Sequence, residues 1–291
     1  MAVDPREGED LHLKRGERLG PYRIESILGE GGMGTVYRAT APGGELVALK
    51  VAKVELAKDG VFRRRFDREG NIALRVKHPH VVPVVDKGEE EGRPYLAQEY
   101  FSGGSLKELL EREGPLRIGP AVKLCLQIGA GLDALHDAGI VHRDVKPANI
   151  MFDDREQAYI ADFGLVKDSK ASALTAPGQT LGSVDYMAPE QIRGEDVGAE
   201  TDVYSLGCVM CECMSGHPPF GHLRGMRVLF AHLQEEPPDP CGEREDAPSA
   251  LSEALLLALE KERARRPPTA TSFARMVQVA ARERGVDRAG A

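Results

Sequence analysis

The feature that most constrains this fold is a change of hydrophobic period near residue 100. Before it, YRIESILGE (22–30) and TVYRATA (35–41) alternate apolar and polar residues. LVALKVAK (46–53) does the same after the turn residues Pro42, Gly43 and Gly44. A period of 2 is the signature of strands with one buried face. HPHVVPVVDKGEE and PYLAQEYF continue the strand character. One helical segment interrupts it, VFRRRFDREGNIALRVK, with Phe62, Phe66, Ile72 and Val76 at helical spacing. Beyond residue 102 the pattern is helical. Ser105 stands as a cap before LKELLERE, and AVKLCLQIGAGLDALHDAG forms a long amphipathic segment ending at Gly139. Residues 140–165 are short strands and loops, residues 166–185 are rich in Ser, Thr, Gly and Pro, and helices dominate from Pro189 onward. Strands first and helices after imply an α+β fold, a small β-rich part with one main helix followed by a larger helical part.

Residues 1–17 read as a disordered charged leader, 18–283 as the folded domain (divided at about 100–102), and 284–291 as a flexible tail. The charged N-terminus is no secretory signal, and no run reaches the roughly 18 to 20 apolar residues of a membrane span. A net charge of -8 and a pI of about 5.6 argue against a nucleic-acid partner, which would call for a basic stripe. Cys208, Cys211 and Cys213 lie close together but in an apolar helical pattern, with no second Cys/His cluster to complete a four-ligand metal set. They read as buried thiols in a protein of a reducing cytoplasm.

LGEGGMGTVY places Gly29, Gly31 and Gly34 between two strand patterns. Glycines at this spacing let backbone N–H groups close around a phosphate chain. A dinucleotide site needs the loop to open a helix, whereas here a strand follows, and a plain flexible hairpin stays open. Lys50 in VALK is either a solvated edge charge or a phosphate-binding cation oriented by Glu69 from the following helix. The segment IVHRDVKPANIMF packs His142, Arg143, Asp144, Lys146 and Asn149 between apolar flanks, a costly arrangement unless each polar group finds a partner.

With Asp162, Phe163 and Gly164 added, the ordered series GEGGMGTV, VALK, Glu69, HRDVKPAN, DFG, APE, DVYSLG and RRP resembles the bacterial Hanks-type (eukaryotic-like) serine/threonine protein kinase catalytic domain from about Tyr22 to Ala280. The resemblance implies a bilobal protein-kinase fold and transfer of the γ-phosphate of ATP to protein Ser/Thr hydroxyls. It makes Asp144 the group that orients and deprotonates the hydroxyl, Lys146 a γ-phosphate contact, and Lys50 with Glu69 the α/β-phosphate pair. Asn149 and Asp162 become oxygen ligands of Mg (or Mn). Leu28, Val36, Ala48 and Met151 become the adenine walls, with Glu99, Tyr100 and Phe101 as hinge and Gln98 as the polar gatekeeper. His142 is a structural imidazole, Asp202 an anchor of the catalytic-loop backbone, and Glu190 with Arg266 a buried ion pair.

Arg143 before Asp144 implies a loop ordered by phosphorylation. Thr175, Thr180 and Ser172 are the candidate sites, and Ser183 is assigned a structural role. The alternative to an active kinase is a nucleotide-binding pseudokinase or scaffold, but such chains usually lose one of the residues matched here by Lys50, Asp144 and Asp162. Expected partners are ATP and protein substrates, with a homodimer for trans-autophosphorylation. The resemblance also admits the cytoplasmic domain of a membrane receptor kinase.

Overall fold

The computed structural model describes residues 12–32, 34–162, 181–242 and 244–283. Their contacts divide them into two units. The first runs to Arg75 and resumes over Pro83–Tyr100, and the second takes Val76–Val82 and the described residues from Phe101 onward.

The first unit is an antiparallel six-stranded sheet in the order β1 (Arg18–Leu19), β2 (Tyr22–Glu30), β3 (Gly34–Thr40), β4 (Leu46–Ala52), β6 (Arg93–Glu99), β5 (Val84–Glu90). Its pleat sorts the side chains. Tyr37, Ala39, Val47, Leu49, Val51, Tyr95 and Ala97 are buried together with Leu19, Tyr22 and Ile24 in one apolar cluster. Residues one step out of phase face the other way, where the register sets Val36 opposite Lys50 and Ala48 opposite Gln98. A short helix α1 (Val54–Ala57) leads into α2 (Gly60–Ala73). Asp59 caps α2 by accepting from the Val61 N–H at 2.7 Å, and Phe62, Phe66, Gly70 and Ala73 form its buried stripe.

The second unit holds α3 (Leu106–Glu113), α4 (Ile118–Asp137), the hairpin β7 (Ile150–Phe152) and β8 (Ala158–Ile160), then α5 (Pro189–Arg193), α6 (Ala199–Ser215), α7 (Met226–Gln234), α8 (Ser249–Ala258) and α9 (Ala270–Ala280). Ser105 does cap α3, in a reciprocal box with Glu108. α6 is buried on nearly every side, including Cys208, Cys211 and Cys213 at 0%, 2% and 0% exposure, so these thiols are core residues. α4 is long and apolar enough to cross a bilayer by length and composition, but half of its window is buried within the unit, where it packs on α6 and α9. Residues 76–82 join this unit through a backbone ladder: Ile160 N–H donates to His80 C=O, and Val82 N–H to Ile160 C=O, both at 2.9 Å.

Candidate active site

The His142–Asn149 segment connects α4 to β7, and its polar groups are satisfied from several directions. Asp202, fully buried on α6, accepts the backbone N–H of His142 on Oδ2 and that of Arg143 on Oδ1, each at 2.8 Å. Gln191 of α5 donates to the Arg143 carbonyl at 3.0 Å. Between these bonds Arg143 takes φ 64°, a left-handed conformation that costs a non-glycine residue about 1 to 3 kcal/mol and persists only where surrounding bonds hold it.

The His142 ring is also fully buried. Its Nδ1 accepts the Asp144 N–H at 3.2 Å, so the proton sits on Nε2, which donates to the Ala161 carbonyl at 2.8 Å. Burial pushes its pKa below the ordinary value, against the pull of the carboxylates Asp202, Asp144 and Asp162, and the ring is neutral. One imidazole thereby ties the backbone at Asp144 to the residue before Asp162. Asp162 itself has φ 56°, the second left-handed non-glycine residue in this region.

Asp144, Lys146 and Asn149 converge. Lys146 Nζ lies 2.9 Å from Asp144 Oδ2, and Asn149 Nδ2 donates to the Asp144 carbonyl at 2.8 Å and to its Oδ2 at 3.2 Å. Those bonds settle which end of the Asn149 amide is nitrogen and turn Oδ1 the other way. The Ala161 N–H bonds the Asn149 carbonyl at 2.8 Å, so the backbone before Asp162 is fastened to the backbone of Asn149. An Asn oxygen and a carboxylate fit Mg²⁺, which uses one or two carboxylates beside phosphate oxygens rather than an all-protein cage. Among the described residues no group of three or more His, Cys, Asp or Glu could hold a metal alone, in keeping with a cation shared with a nucleotide.

The scaffold pair is complete. Arg266 donates from both terminal nitrogens to Glu190, at 2.8 and 2.9 Å, with side chains 0% and 1% exposed. Thr201 adds a bond to Glu190 at 2.8 Å, and Arg266 lies over the Tyr204 ring at 4.8 Å. Burial raises the pKa of Glu190, but the bonds and charge of Arg266 outweigh it, and the net direction is downward.

In the first unit Val36, Ala48, Lys50 and Gln98 share one sheet face through their register. Lys50 and Glu69 are half-buried, and neither is without an interaction. Gly31 N–H closes the β2–β3 hairpin onto Gly34 C=O at 2.9 Å. A Cβ on Gly34 would lie 2.0 Å from the Val51 carbonyl oxygen, while one on Gly29 would meet nothing within 4 Å. Leu28 is 45% exposed, whereas Gln98 is 5% exposed. Glu99 pairs with Val47 at the end of β6. In the second unit Met151 lies on β7, and Phe101 stacks on Tyr159 at 4.4 Å.

Phe163, Gly164, Ser172, Thr175 and Thr180 lie outside the described residues, and Ser183 falls in the helical turn Leu181–Tyr186. Sequence reasoning missed Gln191, Thr201, Asp133 and His136. The first two are direct neighbours of Glu190 and Asp202. Asp133 and His136 carry an i, i+3 signal on α4, and their partners are distant in sequence.

Three comparisons bear on this arrangement. The family model described as "Protein kinase domain" matches residues 22–275. The chain is 39% identical over 253 residues to the serine/threonine-protein kinase PknD of Mycobacterium tuberculosis, covering 86% of this chain and 38% of that protein. It is also 39% identical over 249 residues to PknE of the same species, covering 85% and 44%. It thus spans about two fifths of the length of these curated relatives. Among solved structures, a crystal structure of the M. tuberculosis PknI kinase domain superposes with a TM-score of 0.75 at 31% identity, over 93% of this chain and 99% of that one.

Proposed function

The chain belongs to the protein kinase domain family, and on that premise we propose that it transfers the γ-phosphate of Mg-ATP to serine and threonine hydroxyls of proteins. The observation that carries this reading is the meeting of Asp144, Lys146 and Asn149 within hydrogen-bond distance of one another. Asp144 receives the hydroxyl proton as the oxygen forms its bond to γ-phosphorus and the bond to the ADP oxygen breaks. Lys146, beside that carboxylate, balances the charge spreading over the transferred group. Asn149 Oδ1 and Asp162 would hold Mg²⁺, which supplies neutralisation of the phosphate oxygens when bound. Lys50, oriented by Glu69, takes the α- and β-phosphates. Leu28, Val36, Ala48 and Met151 wall the adenine, and Gly29, Gly31 and Gly34 let backbone N–H groups reach the phosphates.

The retention of every charged group of the transfer machinery favours catalysis over a nucleotide-binding scaffold. Five buried free cysteines suit a reducing cytoplasm. Autophosphorylation of the loop through Thr175, Thr180 or Ser172, in trans within a homodimer, completes the proposal. Phosphosite mass spectrometry after incubation with Mg-ATP, beside Asp144→Asn, tests it. Phosphate is expected between residues 169 and 183 in the wild type only, at a rate that rises with protein concentration. Bound nucleotide with no phosphate in either protein would overturn the catalytic reading.

A further inference from the structure

We propose that His136 is a positioning residue for phosphoryl transfer: bridging Asp133 and Asp202 as a cation, it holds the catalytic-loop backbone in the conformation Asp144 requires. This rests on the kinase reading for its catalytic consequence, but its structural basis stands apart from it.

His136 lies in the last turn of α4, with its side chain 11% exposed. Its Nε2 donates to Asp202 Oδ2 at 2.7 Å, and its Nδ1 is 3.7 Å from Asp133 Oδ1. Asp202 Oδ2 is the same oxygen that accepts the His142 N–H, while Oδ1 accepts the Arg143 N–H. Asp133 in turn accepts the N–H groups of Ala270 and Thr271, at 2.9 and 3.0 Å, at the start of α9. The loop is therefore wired through one ring to three helices. The titratable groups meeting that ring are Asp133 on its own helix and Asp202 on α6, with His142 of the loop reached through Asp202. α9 contributes only backbone donors, and these fall on Asp133.

Asp202 is a carboxylate with no exposure, already using both oxygens on backbone N–H groups. A cation beside it offsets the cost of burying that charge and keeps both oxygens strong acceptors. Burial disfavours the imidazolium, yet the bonds and charges of Asp133 and Asp202 prevail and raise the pKa of His136 to about 9. The folded pKa is above the ordinary 6.5, so the contribution is complete below 6.5 and is lost as pH rises through about 9. The loop should loosen on the alkaline side, with the neutral residue Arg143 φ of 64° left without its full restraint.

The test is amide hydrogen exchange at His142 and Arg143, followed by NMR and corrected for intrinsic rates. It compares the wild type with His136→Gln, which keeps a donor but no charge, and kcat is measured on the same samples. In the wild type, protection of these two amides is expected to fall as pH rises through about 9, and kcat with it. In His136→Gln protection is expected to be about tenfold lower at neutral pH and flat through that range, with kcat reduced and KM for ATP unchanged. Wild-type protection that is flat through pH 9, or a variant that keeps both the protection and its pH dependence, would overturn the proposal. Should the variant not fold, the wild-type exchange profile read beside the NMR titration of the His136 ring decides by itself. Absence of phosphotransfer at any pH would instead defeat the kinase reading and leave the exchange result standing.

Discussion

The segment from His142 to Asn149 and the hairpin around Gly29–Gly34 both carry groups assigned to the nucleotide's phosphates, yet they are held by opposite means. The first hangs on buried charge: Asp202 takes two of its N–H groups, Gln191 takes a carbonyl, and the His142 ring fastens it to Ala161. The second is held by strand register and one closing backbone bond, and its neighbour Leu28 is 45% exposed. Residues that must meet a reacting atom at fixed distance justify buried, fully bonded anchors. A loop that must admit and release a large anion is better served by backbone with little around it.

The largest effect should come from the anchor side. Glu190→Ala leaves Arg266 buried and uncompensated and should cost about 3 to 5 kcal/mol in chemical denaturation. Replacing both partners by apolar residues of similar volume should cost less than either single change. Equal losses in the single and double variants would mean the pair is not the unit of stabilisation.

The hairpin should divide glycine by glycine. Gly34→Ala drives a Cβ against the Val51 carbonyl, a backbone contact that cannot rotate away, and should cost about 1 to 3 kcal/mol. Gly29→Ala meets nothing, so its unfolding midpoint should stay within about 0.5 kcal/mol of wild type while KM for ATP rises. A Gly29 variant as unstable as the Gly34 variant would erase the distinction between loop and anchor.

His142→Phe keeps the ring's bulk but orphans the Asp144 N–H and the Ala161 carbonyl, at about 1 to 3 kcal/mol, with a fall in kcat. Its pH signature is the smallest effect. Burial lowers the folded pKa of His142 below 6.5, so its contribution is present above 6.5 and is lost as pH falls from there toward the folded value. The drop in Tm below pH 6.5 should therefore be shallower in the variant. An unchanged slope would show that other groups, His232 among them, set the acid limb.

Much of the site was legible because charge in an apolar context is costly enough to need a reason. Asp144, Asn149 and Asp202 stand out between apolar runs, as do Glu190 and Arg266 at the edges of apolar helices. The strand-to-helix change near residue 100 likewise announced two dissimilar units. What stayed hidden depends on pairing across long stretches of chain. His136 looks like an ordinary polar position near a helix end, and only its contact with a residue 66 positions away gives it meaning. Residues 76–82 carry strand-like valines, but bonds to Ile160 assign them to the second unit. No local pattern separates Gly34 from Gly29, because the obstructing carbonyl belongs to another strand.

The most direct measurement is steady-state phosphotransfer to a serine- or threonine-containing protein substrate by the wild type and Asp144→Asn, with ATP affinity measured in parallel. The expected result is a loss of about 10²- to 10⁴-fold in kcat with ATP affinity unchanged, since Asp144 acts on the hydroxyl and not on the nucleotide. A variant that retains kcat, or one that loses ATP binding in proportion to rate, would contradict the role assigned to Asp144.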